Sequence, residues 1–205
     1  MSIRVDVCNF ALGALGESEI NSIEDDSDKA RTLKSFYYIA RDAVLEEGEW
    51  TFATRRFLPA KSTTVPEWGW AFVFVIPTDI IRLAEVDRNM SSLTSLRDTS
   101  LPPNPIPHTV EFVNGVGEAI LCNEDPIFCK GVRRIEDEGI YSPLFVEAFS
   151  LKLAYLAALP ITSSVQIQQT VMGLYGHAIR TAKPRNGMQG TTRRMRSRSL
   201  SRARG

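Results

Sequence analysis

The side chains best suited to chemistry in this 205-residue chain are arginines, and they crowd its end. Arg185, Arg193, Arg194, Arg196, Arg198, Arg202 and Arg204 stand among Ser, Gly and Thr with no acid between them. Guanidinium groups pair bidentately with phosphates or carboxylates. Such a run suits non-specific DNA binding or an acidic protein surface. The plainer reading is a solubilising tail with no fixed partner. Carboxylates come in pairs at Glu46/Glu47 and Asp137/Glu138, but charge runs are usually solvated faces. Nothing in their spacing makes two of them converge across a cleft, as glycoside hydrolysis requires. The acids of 24–28 could be read as a divalent-cation site. The plainer reading is a cap and a solvated helix start.

Other chemistry is short of residues. His108 and His177 are the two histidines, too few for a histidine metal cluster. His177 falls in a helical pattern and reads as a solvated or satisfied side chain. Cys8, Cys122 and Cys129 make an odd number with no CxxC, so neither a disulfide framework nor a zinc site is supported, and a reducing compartment is expected. There is no GxxxxGK[ST] and no HExxH, and Gly115-x-Gly117 lacks the helical glycine pattern of a dinucleotide fingerprint. No metal, cofactor or catalytic residue is assigned. The N-terminus lacks the form of a signal peptide. The longest apolar region, 148–161, is broken by Lys152 and Pro160 and reads as too short to span a bilayer, so a soluble protein is expected.

The formal net charge is zero, from 24 basic and 24 acidic residues. Residues 1–147 hold 14 basic and all 24 acidic side chains, a balance of −10, and residues 148–205 hold 10 basic and none acidic. That asymmetry points to a partner for one end.

The elements that must position these groups are helical at both ends and extended between. Ile3, Val7, Phe10 and Ala14 recur at helical spacing and Gly16 ends the run. Ser27 or Asp28 can cap a second helix with Leu33, Tyr37, Ala40 and Val44 on one face and Gly48 as its stop. Residues 70–76, 81–86, 109–113 and 118–122 read as strands, and 88–108 as a long polar excursion, functional or disordered. Ser142-Pro143 starts a third helix, apolar on nearly all sides and ended by Pro160. Such a helix is central or is finished by a neighbouring subunit. Ser163-x-x-Gln166 has capping-box form and opens a fourth helix, with Ile167, Val171, Leu174, Ala178 and Ala182 on one face. Beyond it the basic segment cannot bury enough apolar surface to fold alone.

Together these residues resemble the tail tubular protein A family of short-tailed bacteriophages, the adaptors of the head-to-tail connector. The resemblance covers roughly residues 3–182. It is carried by Asn9-x-Ala11-Leu12-x-x-Leu15-Gly16-Glu17 with Ile20, Ser22 and the acidic turn. Trp50-Thr51-Phe52-Ala53 with Arg56 and Leu58 follows, then Trp68-x-Trp70-Ala71-Phe72 leading into Pro77-x-Asp79-x-x-Arg82. The last segment is Pro143-Leu144-Phe145-Val146-Glu147-Ala148 with Leu153-Ala154 and Thr162. The chain departs from the pattern at Val132-Arg133-Arg134-Ile135 and in its arginine-rich tail.

The resemblance implies an α+β fold, mainly α. The expected organisation is a helical bundle over 1–56 and 139–182 with a β-rich insertion over 57–138, and composition alone adds an arginine-rich flexible tail over 183–205. The resemblance implies a structural virion protein rather than an enzyme. Subunits would form a ring, twelvefold in the family, between the portal protein and the tail nozzle (tail tubular protein B-like). Genomic DNA would pass through its channel, tail fibres are a further partner, and no membrane is involved. Two rivals come from other classes. One is a nucleic-acid-binding module that uses the basic tail. The other is a cell-wall hydrolase that uses Glu46, Glu47, Asp137 or Glu138.

Overall fold

Serines set where the long helices begin. Ser27 Oγ accepts from the Ala30 amide at 3.2 Å and Ser142 Oγ from the Phe145 amide at 3.3 Å, each satisfying a donor that the first turn leaves open. The computed structural model describes residues 3–88 and 106–187, the stretch 183–187 as backbone alone. Among the described residues the fold is mixed α+β, with four α-helices and two antiparallel sheets. The helices are α1 (Ile3–Leu15), α2 (Asp28–Glu47), α3 (Pro143–Thr162) and α4 (Val165–Gly187).

Gly16 stops α1 at φ +76°, with the Glu17 amide donating to the Leu12 carbonyl and the Gly16 amide to the Gly13 carbonyl. That is the Schellman pattern, which needs a residue free to be left-handed. Three expectations about the helices are corrected. Pro160 does not end α3, which continues through it for two residues to Thr162, so the helix stops just after the proline rather than at it. The backbone of α4 likewise runs through Pro184 to Gly187, so Arg185 lies in the helix rather than in a tail beginning at 183. The capping box expected at Ser163 is shared differently. Ser163 is the left-handed cap of α3 at φ 53°, and the hydroxyl that accepts from the first turn of α4 belongs to Ser164.

The helices share one apolar core. Its α1 face is Val7, Cys8, Ala11, Leu12 and Leu15, while Phe10, placed on that face from its spacing, is 50% exposed. The true stripe is i, i+1, i+4, i+5, as suits a helix wedged between two partners. On α2 the expected Leu33, Tyr37, Ala40 and Val44 are all buried. Helix α3 packs against α1, α2 and α4, burying Phe145, Ala148, Phe149, Leu151, Leu153, Ala154, Ala157 and Ala158 around most of its circumference. It is therefore central, although Leu159 is 41% exposed. At 20 residues it is also long and apolar enough to cross a membrane, which corrects the expectation drawn from 148–161; half of its most apolar stretch is buried inside the protein. On α4 the buried residues are Val171, Ala178, Ile179 and Ala182, and Leu174 is exposed at the edge of that seam.

The strands form two layers. Sheet one has the order β1 (Thr54–Phe57), β7 (Phe128–Arg133), β4 (Ile80–Asp87), and sheet two the order β2 (Ala60–Lys61), β3 (Phe72–Val75), β6 (Gly117–Cys122), β5 (His108–Val113). Phe57, Ile80, Val86 and Cys129 of sheet one meet Phe74, Ile120 and Cys122 of sheet two in a second apolar core. The opposite face of sheet one sends Val132 into the helical core, with Ile135 following it. Sheet one thus lies between the helices and sheet two. Gly131 makes the approach of β4 fit, since a Cβ there would sit 2.9 Å from the Arg82 carbonyl oxygen. Of the excursion expected over 88–108, Ile106 is buried with its amide on Val86 O (3.3 Å), and His108 begins β5. Residues 89–105 lie outside the described residues.

Candidate functional site

A polar cluster lies where α1 and α2 meet the segment 134–141. Arg41 on α2 is only 4% exposed, an unusual place for a charge. Its guanidinium reaches Asp42 Oδ1 through Nε and Nη2, both at 2.8 Å, and Arg134 Nε takes the other carboxylate oxygen at 2.9 Å. One acid therefore holds two cations. Burial pulls the Arg41 pKa down, but the hydrogen bond and charge of Asp42 outweigh it and leave the group firmly charged. Beside this pair, Tyr37 OH donates to Glu138 Oε1 at 2.9 Å and Tyr141 OH to the Ile135 carbonyl at 3.0 Å. Burial first, then the Glu138 hydrogen bond, raises the Tyr37 phenol well above its ordinary value; burial raises Tyr141 to about 12 against the pull of Arg41.

Arg4 completes the cluster from the first turn of α1. Its guanidinium lies 4.8 Å from the Tyr37 ring centre and 5.3 Å from that of Tyr38, and Nη2 donates to Tyr38 OH at 3.0 Å. Its Nε is buried without a hydrogen-bond partner, and among the described residues Arg4 makes no ion pair. An open cleft of about 490 Å³ is lined by Arg4, Tyr38, Arg41, Asp42, Arg134, Glu136 and Glu138. The arrangement holds fixed, stacked cations. The same cleft carries three carboxylates, Asp42, Glu136 and Glu138.

Three of the four paired carboxylates singled out in the sequence make structural hydrogen bonds. Asp137 caps a short 3₁₀ turn by accepting from the Gly139 amide at 2.9 Å, Glu138 takes the Tyr37 hydroxyl, and Glu47 takes that of Tyr175. Glu46 is exposed on α2. In the acidic turn, Asp25 accepts from the Asn21 and Ser22 amides, Glu24 pairs with Lys34, and Asp26 and Asp28 pair with Arg31. His108 Nδ1 is 2.7 Å from Ile106 O, and His177 is exposed on α4. Of the seven arginines expected to meet a partner, Arg185 lies in the α4 backbone; Arg193, Arg194, Arg196, Arg198, Arg202 and Arg204 lie outside the described residues.

Sequence reasoning missed the cluster as a site. Its contacts join residues 34, 92 and 101 positions apart, which no local pattern encodes. The one available signal was the close spacing of charged and phenolic residues, Tyr37, Tyr38, Arg41 and Asp42, on one helix.

Large apolar side chains are exposed at unlike places: Phe10, Tyr38, Ile39, Met172 and Leu174 on the helices, Trp68 and Phe112 on the strand layer. No protein-family model matches the chain, and no curated protein matches it.

Proposed function

We propose that this chain is a structural subunit of a phage head-to-tail adaptor, similar to tail tubular protein A. It assembles as a ring between portal and tail nozzle around a channel for DNA, and the virion is its location. The observation that carries the reading is the exposure of large apolar groups on two unlike surfaces, the helices and the strand layer. A ring is closed by heterologous contacts, in which one patch meets a different patch on the next copy. Exposed apolar groups at both places are what such contacts use.

Helices from both ends of the chain sharing one core, with strands between them, support a helical bundle carrying an insertion. In this reading the basic segment after α4 docks on an acidic surface of the portal. Portal co-sedimentation tests the assignment. The full chain binds the portal, and a chain truncated after Gly187 keeps its circular dichroism and loses that binding. Salt-sensitive binding to DNA, with none to the portal, would favour a nucleic-acid-binding module instead.

A further inference from the structure

We propose that β5 is a pairing edge, and that its occupant is the β5 strand of a second copy, antiparallel and in one register. Such a contact belongs to the free chain and goes beyond the ring reading. A two-fold contact closes at two copies, whereas a ring joins unlike patches.

A sheet edge exposes a row of backbone groups, and proteins guard such rows with charge, brevity or bulges. Three of the four edges here are guarded in that way. β1 is four residues long and carries Arg55 and Arg56, and β2 is two residues long and carries Lys61. β4 has two register shifts against β7, and its Val86 carbonyl already accepts from the Ile106 amide. β5, the fourth edge, pairs with β6 over six unbroken positions and holds no lysine, proline or bulge. Its Val110 and Phe112 are 40% and 79% exposed.

The free row of β5 falls on alternate residues. The Ile76 amide donates to the Glu118 carbonyl at 3.1 Å, so Glu118 turns its polar groups toward the β3 side of β6. Alternation then points those of Ala119 and Leu121 at β5, where they meet Glu111 and Thr109. His108, Val110 and Phe112 are left with their N–H and C=O groups directed away from the sheet. Among the described residues, no backbone bond from outside the sheet reaches them.

A second β5 fits this row because the strand is complementary to itself. With Val110 opposite the partner's Val110, Phe112 meets the partner's His108, and each such pair exchanges both backbone bonds. Thr109 then faces the partner's Glu111, a hydroxyl able to donate to a carboxylate. Centring the contact on Glu111 instead would set two like charges directly opposite. Centring it on Thr109 would put Phe112 against the partner's Ile106, whose amide is taken by Val86. The one charge of β5 therefore helps to choose the register. Val110 and His108 stand opposite Ile120 and Cys122, so the added strand continues the sheet face that these two residues turn to the second core.

Sedimentation velocity of the full-length chain over a dilution series tests the contact, with thermal melting as the check on folding. The wild-type chain forms a reversible dimer. Val110→Pro removes an outward N–H and no bond of the β5–β6 ladder, so it folds and dimerises roughly tenfold or more weakly. Thr109→Glu sets like charges across the contact and weakens it, while Thr109→Lys faces the partner's Glu111 and strengthens it. Val110→Cys, at a pair with Cα atoms about 5.5 Å apart, crosslinks as a dimer under mild oxidation, and Asn114→Cys in the turn does not. The three native thiols are buried and do not compete. A wild-type chain that is monomeric at every concentration overturns the pairing, and so does one that associates only with the portal or another protein. A dimer unchanged in folded Val110→Pro and Thr109→Glu variants overturns it as well. Each of these results leaves the ring reading to be decided on the portal.

Discussion

Asn9 holds Ile20 by both of its backbone polar groups: Nδ2 donates to the Ile20 carbonyl at 3.1 Å, and the Ile20 amide donates to Oδ1 at 3.0 Å. The side-chain amide thereby stands in for a strand partner and ties the turn after α1 back onto that helix. Asn9→Ala removes both bonds and leaves two half-buried backbone groups unpaired. The expected loss is about 1–3 kcal/mol, read as a lower midpoint in urea with an unchanged slope.

Trp50 is fixed in a similar way. Its indole folds back over the end of α2, with Nε1 donating to the Val44 carbonyl at 2.8 Å, and a Cβ at Gly48 would lie 2.5 Å from that nitrogen. Trp50 is 1% exposed and also packs edge-on against Phe145, so the ring has nowhere to retreat. Gly48→Ala therefore destabilises by about 1–3 kcal/mol, and the near-ultraviolet circular dichroism of the tryptophan changes with it. Gly13→Ala, where an added Cβ meets nothing within 4 Å, serves as the control and leaves that signal intact.

Asp42 separates buried from surface electrostatics. Removing it by Asp42→Ala strands Arg41 in a site with almost no access to water and frees Arg134, at a cost of about 3–5 kcal/mol. Arg31→Ala breaks two ion pairs whose members are largely exposed, and leaves the denaturation midpoint nearly unchanged.

Alkaline pH acts through the buried thiols. Burial raises Cys8 and Cys129 from 9.0 to about 12 each. The unfolded chain therefore gives up these protons first. The stability they contribute is complete below pH 9 and declines as the pH rises toward 12, by up to about 1.4 kcal/mol per pH unit for each thiol. Urea titrations at pH 8 and pH 10.5 read the slope. The double variant Cys8→Ala, Cys129→Ala shows a shallower decline, the remainder coming from the buried tyrosines, whose pKa values are also raised.

Much of this architecture was legible where one residue type does one job. Ser27 and Ser142 mark helix starts, Gly16 marks an end, and the apolar runs of β3 and β6 mark buried strands. β1 and β7 were not legible. Thr54-Arg55-Arg56-Phe57 turns two arginines outward, and Phe128–Arg133 carries Lys130 and Gly131 where a strand pattern would have apolar residues. The glycine is there for the close approach of β4 rather than for propensity. Phe10 misled for a related reason, since its spacing fits a buried stripe that tertiary packing sets one residue aside.

Residues that carry the family resemblance prove to be joints. Asn9 pins the turn at Ile20, Trp50 closes α2, Arg82 donates to the Gly48 carbonyl at 3.2 Å from β4, and Asp79 pairs with Arg55 at 2.6 Å. The Arg4 cleft stayed hidden because its members come together only when helices and strands are assembled.

Electron microscopy of the purified full-length chain, alone and mixed with its portal, tests the adaptor assignment most directly. The account predicts closed rings stacked coaxially on the portal. A chain that stays monomeric and ignores the portal would contradict it.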